Sequence, residues 1–154
     1  MATVDNRAIA LAIAATVSLG TATRIWITEP APVDKKLALY QAQCNTLYVS
    51  VMAELAKQGH YFKAGEAFRT KEQAAMNAIK GVGIKDSAHT YSLAWDNFRV
   101  SADGTVSWKH EDYELYGKTW VEAGKKVGIK TNWGGNFRRK DDVHISCTSP
   151  TGSQ

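Results

Sequence analysis

The chain has 154 residues, 44% of them apolar and 22% charged, with a net charge of +4 at pH 7. That length suits one domain with a core of its own, and the composition is that of an ordinary globular protein without internal repeats or a low-complexity tract. The positive balance suits an anionic partner; no stripe of Lys/Arg interleaved with aromatics marks a nucleic-acid surface, and a carboxylate-rich cell-wall polymer fits as well.

The first element is apolar. Ala8 to Thr23 is a run of sixteen uncharged residues between Arg7 and Arg24. As a helix it would span only ~24 Å, short of the ~30 Å hydrocarbon core of a bilayer. Adding Ile25-Trp26-Ile27 reaches spanning length, with Arg24 snorkelling to the interface. Residues 1–27 therefore read as a weak membrane anchor, or as a cleaved signal peptide with Gly20-Thr21-Ala22 as its small-residue site, or as a buried helix. Thr28 to Val33, TEPAPV, is a Pro-containing linker (residues 28–33), and the folded domain occupies 34–154.

Asp34 is a helix N-cap. Behind it Leu37, Tyr40, Cys44, Leu47, Tyr48, Val51, Met52 and Leu55 recur at helical spacing, and Gly59 closes the helix. Tyr61 to Phe68 reads as a strand. Thr70-Lys71-Glu72-Gln73 has capping-box form and opens a second helix ending near Gly81 or Gly83. Gly81 to Ala88 is a loop that delivers His89. Ala94 to Ser101 is a strand, and Asp103-Gly104 a hairpin turn into Thr105 to Trp108. A third helix runs from about Glu111 to Val127, with Leu115, Trp120 and Val127 on its apolar side. Trp133-Gly134-Gly135 is a loop and Val143 to Cys147 a final strand. Helices flanking a small antiparallel sheet make an α+β domain.

Two cysteines, Cys44 and Cys147, lie far apart, outside any C-x-x-C or zinc-finger spacing. They remain two buried thiols in a reducing compartment, or pair if the chain is exported. Such a bond would brace the last strand against the first helix.

The chemistry-bearing residues cluster late. His89 and Asp96 stand seven apart in SAHTYSLAWD, and His144 follows in DDVHIS with Asp141 three residues before it. Two imidazoles and a carboxylate suit Zn²⁺, and three protein ligands leave a fourth position open, as at a catalytic rather than a structural zinc. The pattern Ser87-x-His89, Ala94-x-Asp96, Trp133-Gly134-Gly135 and Asp141-x-x-His144, with the upstream segment Glu66 to Gln73 carrying Arg69, resembles the zinc D,D-peptidase family of VanY-type carboxypeptidases and phage L-alanyl-D-glutamate endolysins. The resemblance covers roughly Asp34 to Cys147. Ser92 stands near a position where the family usually has Gly, and Asn136 where it often has Asp.

The resemblance implies Zn²⁺ held by His89, Asp96 and His144, with Asp141 as general base and Arg69 as partner of the oxyanion. Ser87 and Trp133 are the candidate substrate contacts. Asp142 is read as solvated, and His60 and His110, which match no motif, as structural or surface residues. The implied activity is hydrolysis of peptidoglycan stem peptides, at the L-Ala–D-Glu bond as in phage endolysins, or at D-Ala–D-Ala as in the carboxypeptidases. The rivals are a non-catalytic wall-binding or virion module of the same fold, and a basic nucleic-acid-binding domain. The expected partner is peptidoglycan and not nucleic acid, the expected state a monomer. Some phage endolysins carry signal-anchor-release segments, so residues 8–27 are expected to tether an exported enzyme transiently to the inner membrane before it reaches the periplasm and cell wall.

Overall fold

The computed structural model describes residues 34–148. Residues 1–33, read above as anchor or signal and linker, lie outside the described residues. Among the described residues no helix is long and apolar enough to cross a membrane.

Helix α1 (Lys35–Lys57) starts where the Asp34 carboxylate accepts the Lys36 and Leu37 amides, satisfying donors that the first helical turn leaves open. Cys44, Leu47, Val51 and Leu55 form its buried stripe, as their spacing predicts, and Gly59 follows its end at φ 79°, where glycine is favoured. Strand β1 (Tyr61–Ala64) is shorter than the expected Tyr61 to Phe68. Beyond Ala64 the chain stays beside β2 and the turn that precedes it, with the Gly65 amide on the Asp96 carbonyl, the Asp96 amide on the Glu66 carbonyl and the Arg69 amide on the His89 carbonyl. Thr70 caps helix α2 (Lys71–Ile79), its side chain accepting the Gln73 amide.

A single 3₁₀ turn, Ala88–Tyr91, precedes strand β2 (Ala94–Val100). The turn at Asp103-Gly104 forms as expected, with Gly104 at φ 85°. The strand expected after it shrinks to one bridge, Val100 with Val106. The Ser107 carbonyl is taken by the Tyr113 hydroxyl at 2.8 Å, and its hydroxyl binds Asp112, so the chain is drawn into helix α3 (Glu111–Val127) instead. The buried side of α3 keeps Trp120, as expected, but not Leu115 or Val127. Tyr113, Tyr116, Gly117, Trp120 and Gly124 face inward, whereas Leu115 is 40% and Val127 59% exposed. Trp120 with the tyrosines and glycines, and not Leu115 or Val127, make the packing stripe.

Trp133 ends a strand, β3 (Thr131–Trp133), where a loop was expected, and Gly134–Asn136 forms a 3₁₀ turn. Strand β4 is His144–Cys147. The sheet is antiparallel throughout, in the order β1-β2-β4-β3. The described domain is thus α+β, with three α-helices and a four-stranded sheet.

Alternation along the strands divides the sheet into two faces. One face carries Trp95, Asn97, Ile145, Cys147 and Trp133, and packs on α1 and α3. There the Trp95 ring stacks on Tyr48 at 4.7 Å and meets Trp120 edge-on. The buried Asn97 side chain accepts from the Tyr48 hydroxyl and donates to that of Tyr116, both at 2.8 Å, so its burial leaves neither amide atom unpaired. Cys44 of α1 and Cys147 of β4 are joined by a disulfide, their Cα atoms 6.4 Å apart. The opposite face carries Asp96, His144, Ser146 and Asn132, and this is the face of the cleft.

Candidate metal centre

Asp96 and His144 are direct cross-strand partners on β2 and β4. Side chains so paired stand ~5 Å apart at Cβ and point the same way, so the ladder itself delivers two of the three predicted ligands. His89 comes from the 3₁₀ turn that leads into β2. Its backbone is fixed there by its carbonyl, which accepts from the Arg69 and Ser92 amides, each at 3.2 Å. Its other ring nitrogen, Nδ1, is buried with no hydrogen-bond partner, so this backbone and the packing around it set the ring.

Three atoms converge. His89 Nε2 lies 3.2 Å from His144 Nδ1 and 3.2 Å from Asp96 Oδ1, and His144 Nδ1 lies 3.1 Å from that same oxygen. Hydrogen bonds alone do not satisfy this triangle. An ionised carboxylate only accepts, so both nitrogens must donate to Asp96, and the contact between them then sets two donors face to face. One cation taking a lone pair from each atom resolves all three edges. A tetrahedral ion with bonds of about 2.0–2.1 Å would hold its ligands roughly 3.3 Å apart, close to the edges seen. The group His89, Asp96 and His144 can therefore hold a metal ion.

The electrostatics agree with a site made for positive charge. Burial alone would raise the Asp96 carboxyl, but hydrogen bonds from His144 and His89 outweigh it and hold the group far below the usual carboxylate range. Asp141 goes the other way. Burial pushes its carboxyl up, and the Asp96 charge adds to this against the opposing imidazoles.

The triad floors a cleft of about 680 Å³ lined also by Arg69, Ser87, Asp141 and Phe137. Arg69 both lines the cleft and is held in it, by a fork of bonds to the Glu66 carboxylate that includes Nε to Oε1 at 2.9 Å. Glu66 was inside the predicted segment, yet only the fold shows that it orients the guanidinium. Ser87 is buried at the cleft wall.

Asp141 owes its place to the glycines after Trp133. Its amide donates to the Gly134 carbonyl at 3.0 Å, and a Cβ on Gly134 would come within 2.1 Å of the Asp141 carbonyl oxygen. Any other residue there would push the carboxylate's loop away.

Two expectations are corrected. Trp133 does not line the cleft: it is 5% exposed, on the core face of β3, with its indole over Gly117. Period-two alternation puts its neighbour Asn132 on the cleft face instead. Asp142 is not merely solvated, since its carboxylate oxygen lies 2.6 Å from His110 Nδ1. Phe137, whose ring stands 5.9 Å from that of His144, was not foreseen; nothing in its local sequence marks it.

No protein-family model and no curated protein matches the chain. A solved structure does: the crystal structure of Serratia marcescens L-Ala D-Glu endopeptidase ChiX, at TM-score 0.52 and 26% identity, over 58% of this chain and 68% of that one. The fold is similar to that of a peptidase. The likeness supports a related peptidase fold here, with a group of residues able to hold a metal.

Proposed function

We propose that this protein is a zinc-dependent peptidase that hydrolyses peptidoglycan stem peptides at the L-Ala–D-Glu bond, acting in host-cell lysis as phage-type endolysins do. The observation that carries the reading is the closed triangle of His89 Nε2, Asp96 Oδ1 and His144 Nδ1 in a cleft that also presents a raised carboxyl and an arginine. The likeness to an L-Ala D-Glu endopeptidase supports the choice of bond.

His89, Asp96 and His144 would hold the zinc. When bound, zinc supplies Lewis-acid activation of water and of the scissile carbonyl. Asp141 takes the proton of the attacking water and returns it to the leaving amine; its elevated affinity for a proton suits both transfers. Arg69 offers its guanidinium to the charge that develops on the carbonyl oxygen, and Glu66 keeps that guanidinium aimed without rearrangement during the reaction.

The test is zinc analysis of the purified chain together with mass spectrometry of digested muropeptides. One zinc per chain and new D-Glu amino termini are expected. Release of D-Ala alone would make the enzyme a carboxypeptidase, and intact murein with no bound metal would end the reading. Residues 8–27 are proposed as the transient inner-membrane tether of an exported enzyme. Fractionation before and after depolarisation should move the protein, with its N-terminus intact, from membrane to soluble pool; a wholly cytosolic protein would refute this.

A further inference from the structure

We infer that His110 is a positioning residue: through Asp142 it fixes Asp141 in the cleft that holds the metal triad. The inference rests on the peptidase reading for its kinetic consequence, while the geometry stands by itself.

His110 precedes α3, 32 residues before Asp142 in sequence and outside every motif. Its ring is clamped on three sides. One face stacks on the Trp133 indole, with centroids 5.5 Å apart and planes 13° from parallel. Nδ1 lies 2.6 Å from Asp142 Oδ1, and Nε2 lies 3.3 Å from the Lys140 ammonium. The two partners select the tautomer. A carboxylate only accepts and an ammonium only donates, so the neutral ring with its proton on Nδ1 satisfies both.

Asp142 is then held at two atoms. His110 binds its carboxylate, and the Trp133 indole nitrogen donates to its carbonyl at 2.9 Å. The preceding peptide is held as well, the Asp141 amide by Gly134 and the Asp141 carbonyl by the His144 amide, both at 3.0 Å. A line of contacts thus runs from the start of α3 through His110 and Asp142 to the base and the third ligand. Without His110 the Asp142 side chain, only 20% exposed, is a half-buried charge lacking a partner. Such a group turns toward water, and the peptide joining it to Asp141 turns with it. His110 does not line the cleft, so it acts on Asp141 and not on substrate.

The experiment compares His110→Ala, His110→Asn and Asp142→Ala in the full chain, with two readouts. The first needs no activity: amide hydrogen exchange at Asp141 and His144, measured against the amides of β2. His110→Ala should speed exchange at these two sites at least tenfold and leave β2 and the bound metal unchanged. His110→Asn should restore protection, because the Asn amide nitrogen can donate from the place of Nδ1. The second is kinetics on a muropeptide. A base misplaced by ~1 Å costs on the order of 10²-fold, so His110→Ala and Asp142→Ala should each lower kcat about 10- to 100-fold with KM unchanged. The double variant should be no worse than either alone. Parental exchange at Asp141 and His144 in His110→Ala overturns the inference, as does failure of Asn to rescue a folded, metal-loaded protein. A parent chain that cleaves no murein peptide refutes the peptidase reading instead, and the exchange result still decides on His110.

Discussion

The bond between Cys44 and Cys147 ties the first helix of the domain to the strand that carries His144, and closes a loop across 103 residues of sequence. Its effect can be worked from that separation. In the chain-entropy model a closed loop of about 100 residues removes from the unfolded chain the equivalent of about 4.7 kcal/mol at 25 °C. A domain of this size is stable by only about 5–15 kcal/mol in total, so reduction should remove a third or more of its stability. The clean comparison is the same chain oxidised and reduced. Replacing the cysteines by alanine would add a cavity cost at two side chains that are fully buried. Urea unfolding with and without a reductant, read by tryptophan fluorescence, should show the midpoint falling by an amount that corresponds to about 3–5 kcal/mol. A difference below about 1 kcal/mol would refute the loop-entropy reasoning. Two freely titrating thiols in protein prepared from an oxidising compartment would refute the pairing itself.

His144→Ala should abolish metal binding and activity together, since three protein ligands are the minimum catalytic set; full metal occupancy by elemental analysis would contradict the triad. Asp141→Asn should keep the metal and the fold while turnover on purified murein falls by about 10²–10⁴-fold. Gly117→Ala should destabilise the domain by about 1–3 kcal/mol in urea, because a Cβ there would lie 1.9 Å from the Trp133 ring. Ser92→Gly should do the opposite. Ser92 sits at φ 51°, a left-handed conformation that costs an L-residue about 1–2 kcal/mol, against roughly 0.5–1 kcal/mol of added unfolded-state entropy for glycine. A net gain of about half to one kcal/mol in thermal or urea melts is expected, and a loss would mean the serine side chain contributes something the backbone does not reveal.

Much of this protein is written locally. The α1 stripe, the caps at Asp34 and Thr70, and the turn at Gly104 all follow from residues within a turn or two of one another. That His89, Asp96 and His144 could together hold a metal was legible too, because metal chemistry restricts which side chains will serve. The left-handed conformation of Ser92, at φ 51°, shows only in the folded backbone. What the sequence did not settle are relations between distant segments. The pairing of Asp96 with His144 depends on a strand register between residues 48 apart, and a slip of one position would turn either side chain into the core. The same alternation sent Trp133 inward and Asn132 to the cleft, against the expectation drawn from its motif. The packing of α3 on tyrosines and glycines, the fork of Glu66 on Arg69 and the hold of His110 on Asp142 likewise arise where separate elements meet. Local propensities act over a few residues, whereas register and facing are set by the burial of the whole sheet between its helices, and that is a property of the tertiary structure alone.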